Sequence, residues 1–191
     1  VAPRPRWPFE VVVIDFGLAT MTDSQTGRGR RGIRVGARHI RAPEVVLGLN
    51  WGVEADLWSL GCLLATLYTG DRLFKVHEEM EHLAAMEHIT GKKIPVHMGK
   101  GVSERILNKG VAFDHAGQLA WPECAKDERE VRRVDGFTPL RELVLDRHGP
   151  FLSLLQGLLE IDPDKRLTAK AAVVLPFVTD KPLGEEEGGG E

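Results

Sequence analysis

The sequence predicts a mainly α-helical fold with one short β-strand, and five stretches carry that prediction. Residues 53–68, V-E-A-D-L-W-S-L-G-C-L-L-A-T-L-Y, hold no charge after Asp56 and are apolar on every face. A helix apolar all round is a buried helix. At 16 residues with Glu54 and Asp56 at its start, it falls short of the ~20 apolar residues a membrane span needs. Residues 78–90 show a second, amphipathic helix. Residues 151–160 and 169–175 give two terminal helices. The strand is 9–14, F-E-V-V-V-I, a β-branched run that reads as mostly buried.

The bulk numbers agree with one domain and a sizeable core: 191 residues, 42% hydrophobic, 28% charged. A net charge of -3 gives no global pull toward nucleic acid. The two cysteines, Cys62 and Cys124, make no disulfide framework, and a reducing compartment fits. Residues 1–10 lack the apolar core of a secretory leader. The chain opens without Met and almost directly on the strand, which suggests a fragment or a processed product.

Taken in order, residues 1–8 are a Pro- and Arg-rich irregular leader. The strand ends in Asp15-Phe16-Gly17. Residues 18–36 hold Thr20, Thr22, Ser24 and Thr26, then G-R-G-R-R-G-I-R, without periodicity, and read as a long loop. Pro43 suits the first turn of a short helix over 45–47, which Gly48 closes. The core helix follows. Its Asp56 leaves two readings open: a carboxylate placed on the positive end of the helix dipole, or one that reaches out to pin a neighbouring loop. Residues 69–71 turn the chain. In the helix over 78–90, Met80, Leu83, Ala84 and Ile89 point inward, acidic residues crowd the first turn, and Gly91 with Lys92 and Lys93 follows the end. Residues 92–149 are weakly patterned and read as an irregular insertion. Asp162-Pro163-Asp164 is a turn, and Thr168 caps the last helix. The tail over 183–191 is acidic, Gly-rich and disordered by composition.

Four motifs in a fixed order carry the functional signal: V-V-V-I-D-F-G at 11–17, R-A-P-E at 41–44, D-L-W-S-L-G at 56–61 and D-P-D-K-R-L-T at 162–168. Each alone is common. The series resembles the C-terminal lobe of a eukaryotic protein kinase, over residues 9 to about 178. The run E-H-L-A-A-M-E-H-I-T-G at 81–91 resembles the signature of the LAMMER-type kinases of the CMGC group, with Ala85 and His88 departing from it. R-H-I-R-A-P-E at 38–44 is similar to that family's substrate loop, with Ile40 where a tyrosine is usual. The resemblance divides the chain into a partial kinase domain over 1–182 and the tail over 183–191. Within the domain, 1–44 would be strand and activation segment, 45–91 the short, core and LAMMER-like helices, 92–149 a CMGC-type insertion and 150–178 the terminal helices.

The resemblance implies roles. Asp15 would hold a magnesium ion that bridges the phosphates of ATP, in a reaction that is mostly positioning and charge neutralisation. Phe16 would pack to set the active or inactive position, and Gly17 would let the backbone turn. Ala37, Arg38, His39 and Arg41 would belong to the substrate loop. Glu44 would pair with Arg166, and Asp56 would accept bonds from the catalytic-loop backbone. Substrates would be proteins, in this family arginine/serine-rich splicing factors. The complete protein would be a monomer in the nucleus or cytoplasm, with no membrane and no direct nucleic-acid contact. Two features weigh the other way. These residues contain no glycine-rich loop, no strand lysine and no H-R-D-type catalytic loop. Gly36-Ala37 also stands where Ser-Thr is usual, so a threonine hydroxyl that bonds the catalytic residues is missing. The readings are therefore a piece of a serine/threonine kinase, inactive by itself, or a catalytically dead lobe that acts as a scaffold. The arginines at 28, 30, 31 and 34 leave three readings open: a solvated loop, a nuclear address or nucleic-acid contact, and a partner for phosphate on Thr20, Thr22, Ser24 or Thr26. The histidines give no zinc motif, because H-E-x-x-H starting at His77 requires a histidine where Glu81 stands.

Overall fold

The structure, a computed structural model, describes residues 11–21 and 34–179. Its helices run α1 (Pro43–Val46), α2 (Glu54–Thr69), α3 (Glu79–Thr90), α4 (Val96–Lys100), α5 (Glu104–Leu107), α6 (Glu128–Asp135), α7 (Leu140–Leu143), α8 (Gly149–Leu158), α9 (Ala169–Ala172) and α10 (Pro176–Thr179). Short 3-10 turns sit at Phe16–Leu18, Arg38–Ile40 and Asp146–His148. β pairing among the described residues is one isolated bridge between Phe113 and Leu119.

α2 organises the core. Trp58, Cys62 and Ala65 are buried on one side of it, and Trp58 stacks on Phe74 with centroids 5.9 Å apart. Gly61 lets α8 come close: a Cβ there would lie 3.0 Å from Leu158 and Leu159. Thr66 and Thr69 return their hydroxyls to the helix's own carbonyls, and Gly70 closes it in the left-handed region. The expectation of burial on every face is corrected here. Val53, Leu60, Leu63 and Leu67 are exposed, because no described element covers that side.

α3 is amphipathic by sequence and buried almost throughout. Glu78 and Glu81 form a reciprocal capping box at its start. Met80, Leu83, Ala84 and Ile89 are inside, and so are Glu79, Glu81, His82 and Glu87. The buried carboxylates have partners: Glu81 pairs with Arg133 of α6, and Glu87 accepts from Lys93 at 2.7 Å and Ile94 N at 2.8 Å. Polar positions are buried at low cost only with such partners.

Two further expectations change. Val11 to Ile14 form no strand and are 65–78% exposed. A strand exists through its ladder, and no partner strand lies among the described residues. Residues 92–149 are not irregular: they carry α4 to α7. For α6 the signal was in the sequence, as Asp127-Glu128-Arg129-Glu130. Asp127 accepts from Arg129 N and Glu130 N at 2.8 and 3.0 Å, and Glu130 reaches back to Lys126 N at 2.9 Å. At the C-terminus, Thr168 caps α9 through Ala171 N at 3.2 Å. The helix expected over 169–175 ends at Ala172, and a further short helix, α10, follows from Pro176. The tail over 183–191 lies outside the described residues.

Candidate active site and substrate loop

Asp15 sits at the start of the Phe16–Leu18 turn with φ 62° and ψ 70°. A non-glycine residue in that region is uncommon, and Asp tolerates it better than most. Its Oδ1 accepts Gly17 N at 3.3 Å. A Cβ on Gly17 would lie 3.2 Å from that same oxygen, so the glycine keeps the carboxylate in place. Asp15 is exposed. It lines a cavity of about 600 Å³ together with Gly36, Arg41, Asp56 and Ser59. An exposed carboxylate on a cavity wall has the chemistry for a hard oxygen-liganded cation such as magnesium. Phe16, expected to pack, is 69% exposed. Asp56 is in the first turn of α2 and exposed; the cavity brings it to the same wall as Asp15.

The residues expected to form a substrate loop come together below this wall. Arg41 folds the loop onto itself by donating from Nε to Val35 O at 3.1 Å and from Nη2 to Gly36 O at 2.7 Å. Gly36 has φ 73°. Ala37 precedes the Arg38–Ile40 turn and offers no side-chain cap. Arg38 donates to His77 O, and Arg34 pairs with Glu79, both just before or at the start of α3. Ser59 of α2 donates to Ile40 O at 2.9 Å. Burial, then Arg34 and Arg38, push the Arg41 guanidinium down to about 10. Burial, then Arg72, lowers His39. Sequence reasoning missed two residues here: Glu79, which pairs with Arg34, and His82, fully buried near these cations.

Below the loop, Glu44 of α1 meets Arg166 across 122 positions. Nη1 reaches Oε1 at 2.7 Å and Nη2 reaches Oε2 at 2.9 Å. Arg166 also donates to the carbonyls of Glu160, Glu54 and Ile161 at 2.8, 2.8 and 3.2 Å. A guanidinium has five N–H groups, and these contacts use them all. Its charged face lies 5.3 Å from the Trp58 ring centroid. Of the candidate phosphate acceptors, Thr20 is exposed. Thr22, Ser24 and Thr26, with the arginines at 28, 30 and 31, lie outside the described residues.

Asp15 on a cavity wall, a loop folded by Arg41 and a buried Glu44–Arg166 pair thus lie along one helical lobe. The protein kinase domain family model matches residues 8–178, and the chain belongs to that family. It is similar to Serine/threonine-protein kinase AFC3 of Arabidopsis thaliana, 38% identical over 174 residues, covering 87% of this chain and 40% of that one. It is similar also to Dual specificity protein kinase CLK4 of Homo sapiens, 38% identical over 171 residues, covering 88% and 33%. Among solved structures, a crystal structure of a kinase domain matches with a TM-score of 0.75 at 38% identity, covering 87% of this chain and 46% of that one. The chain thus spans about two-fifths of the length of the curated relatives it matches.

Proposed function

We propose that this chain is the helical lobe of a LAMMER-type serine/threonine protein kinase, which transfers the γ-phosphate of ATP to hydroxyls of proteins. The single observation that carries the reading is Asp15, a carboxylate set in the left-handed region by its own bond to Gly17 N and turned to a cavity wall. Asp15 would hold the magnesium ion of Mg-ATP, whose charge neutralises the phosphates. The chain's own residues then present the protein substrate. Arg41 holds the loop closed on Val35 and Gly36, and the Glu44–Arg166 stake fixes the loop's C-terminal end to the helices. Resemblance to the LAMMER-type kinases implies arginine/serine-rich proteins as the substrate class and the nucleus as the compartment. The 191 residues contain no H-R-D-type catalytic loop, which in the family carries the catalytic base and the second metal ligand, so the isolated chain is expected to be inactive.

Ala37 favours a second reading. Without its hydroxyl the loop lacks a bridge to the catalytic residues, and a dead lobe that binds kinase substrates needs no such bridge. Radiolabelled phosphate transfer to an arginine/serine-rich peptide by the complete protein separates the two. The kinase reading expects transfer that falls to background in Asp15→Ala with the fold intact. Transfer that survives Asp15→Ala refutes the metal role. No transfer by the complete wild-type protein favours the scaffold.

A further inference from the structure

The loop over 34–41 has no side-chain cap at Ala37 yet is tied down elsewhere. Arg41 closes it onto Val35 O and Gly36 O, Arg38 reaches His77 O, and Arg34 pairs with Glu79. The last two ties land two residues apart at the start of α3. Glu79 is 4% exposed, and its Oε2 has no hydrogen-bond partner among the described residues. A buried carboxylate needs a compensating charge. The first turn of a 12-residue helix supplies part of it, and Arg34 supplies the rest. The loop needs Glu79 as much: Arg38 and Arg105 crowd Arg34, while Arg34 in turn depresses Lys109 and Arg41. A cation-rich loop without a carboxylate at its edge would be pushed away from α3 by its own charge.

We propose that Glu79 is a positioning residue of the substrate loop, fixing residues 34–41 against α3 through its ion pair with Arg34. Its expected effect on catalysis rests on the kinase reading above; the contact itself does not. Glu79 touches no reacting group and acts through Arg34.

Hydrogen exchange on the 191-residue chain tests the contact without any phosphoryl transfer. Glu79→Gln should make the amides of 35–41 exchange about tenfold faster, since a charge-assisted contact controls local opening. Exchange within α3 from 83 to 90 should stay as in wild type. The double reversal Arg34→Glu with Glu79→Arg should restore slow exchange in the loop, which a role confined to packing α3 would not do. In the complete protein, Glu79→Gln should raise KM for a protein substrate several-fold while KM for ATP is unchanged, and the reversal should recover it. Unchanged loop exchange in Glu79→Gln overturns the proposal, as does faster exchange spread evenly over α3, or a reversal that fails to rescue. Those outcomes leave the kinase reading standing. A loop that responds as expected in a complete protein that transfers no phosphate sinks the kinase reading and leaves the contact.

Discussion

His82 is a charge-forming group that its surroundings keep neutral. Burial does most of it, and Arg41, Arg38, Arg34 and His39 add to it, so that the ring titrates at about 3 against an ordinary 6.5. Neither ring nitrogen has a hydrogen-bond partner among the described residues; the ring packs edge-on against Phe74 at 5.3 Å. Between pH 6.5 and about 3 the unfolded chain binds a proton at this site and the folded chain does not. Stability therefore falls as pH falls through that window, by up to ~1.4 kcal/mol per pH unit from this group. Above 6.5 it contributes no pH dependence. His82→Leu fills a similar volume with no ring nitrogen to satisfy. It should flatten the stability profile between pH 6 and 4, read from urea midpoints. A variant with the wild-type slope would mean that other groups carry the acid sensitivity. Ala37 is the other informative single residue. In the complete protein Ala37→Thr restores a hydroxyl, and a neutral hydrogen bond of about 0.5–1.5 kcal/mol corresponds to a rate gain of a few-fold to about tenfold. Transfer to a peptide, wild type beside variant, measures it. No gain would show that the three loop arginines already do what the hydroxyl would.

At the level of elements, α2 packs against α8 and α3 against α6 and α1, and the Glu44–Arg166 stake ties α1 to the turn after α8. Glu44 is 0% and Arg166 4% exposed. Removing one partner leaves an uncompensated buried charge, so Glu44→Ala or Arg166→Ala should cost about 3–5 kcal/mol in a denaturant melt. A loss under about 1 kcal/mol, the range of exposed pairs, would contradict the burial. Gly61 tests the packing between α2 and α8 separately. Gly61→Ala places a methyl 3.0 Å from Leu158 and Leu159, and overpacking of this kind costs about 1–3 kcal/mol despite the better helix former. These long-range links explain what was legible. The Glu44–Arg166 pair was readable because both residues sit in recognisable motifs, and α2 and α3 because apolar spacing and end signals agree. The strand over 9–14 was not, because its hydrophobicity speaks of burial and burial needs a partner. α6 was missed although its N-cap Asp127 was present, since α6 is short and its outer face is charged. His82 and Glu79 were invisible as site residues: nothing local marks a His or Glu that tertiary packing buries.

For the molecule as a whole, the uncovered side of α2 decides behaviour in solution. Val53, Leu60, Leu63 and Leu67 recur at spacings of seven, three and four and so form one stripe. They are 57%, 40%, 49% and 71% exposed, and Val11 to Ile14 add more apolar surface. Contiguous apolar area of this kind marks an interaction surface or an aggregation liability. The relatives are two to three times longer than the chain, so the same helix in them has more protein to pack against. The 191-residue chain should therefore self-associate, with an apparent mass that rises with concentration in light scattering. Leu63→Glu with Leu67→Glu should shift it to a monomer, because charge on the stripe opposes its burial. The same double variant should move the thermal midpoint little, since exposed positions change stability by about 0.5 kcal/mol or less each. A wild-type chain that stays monomeric at all concentrations would show that the stripe is tolerated in water. A double variant that unfolds would show that the two leucines are buried in solution.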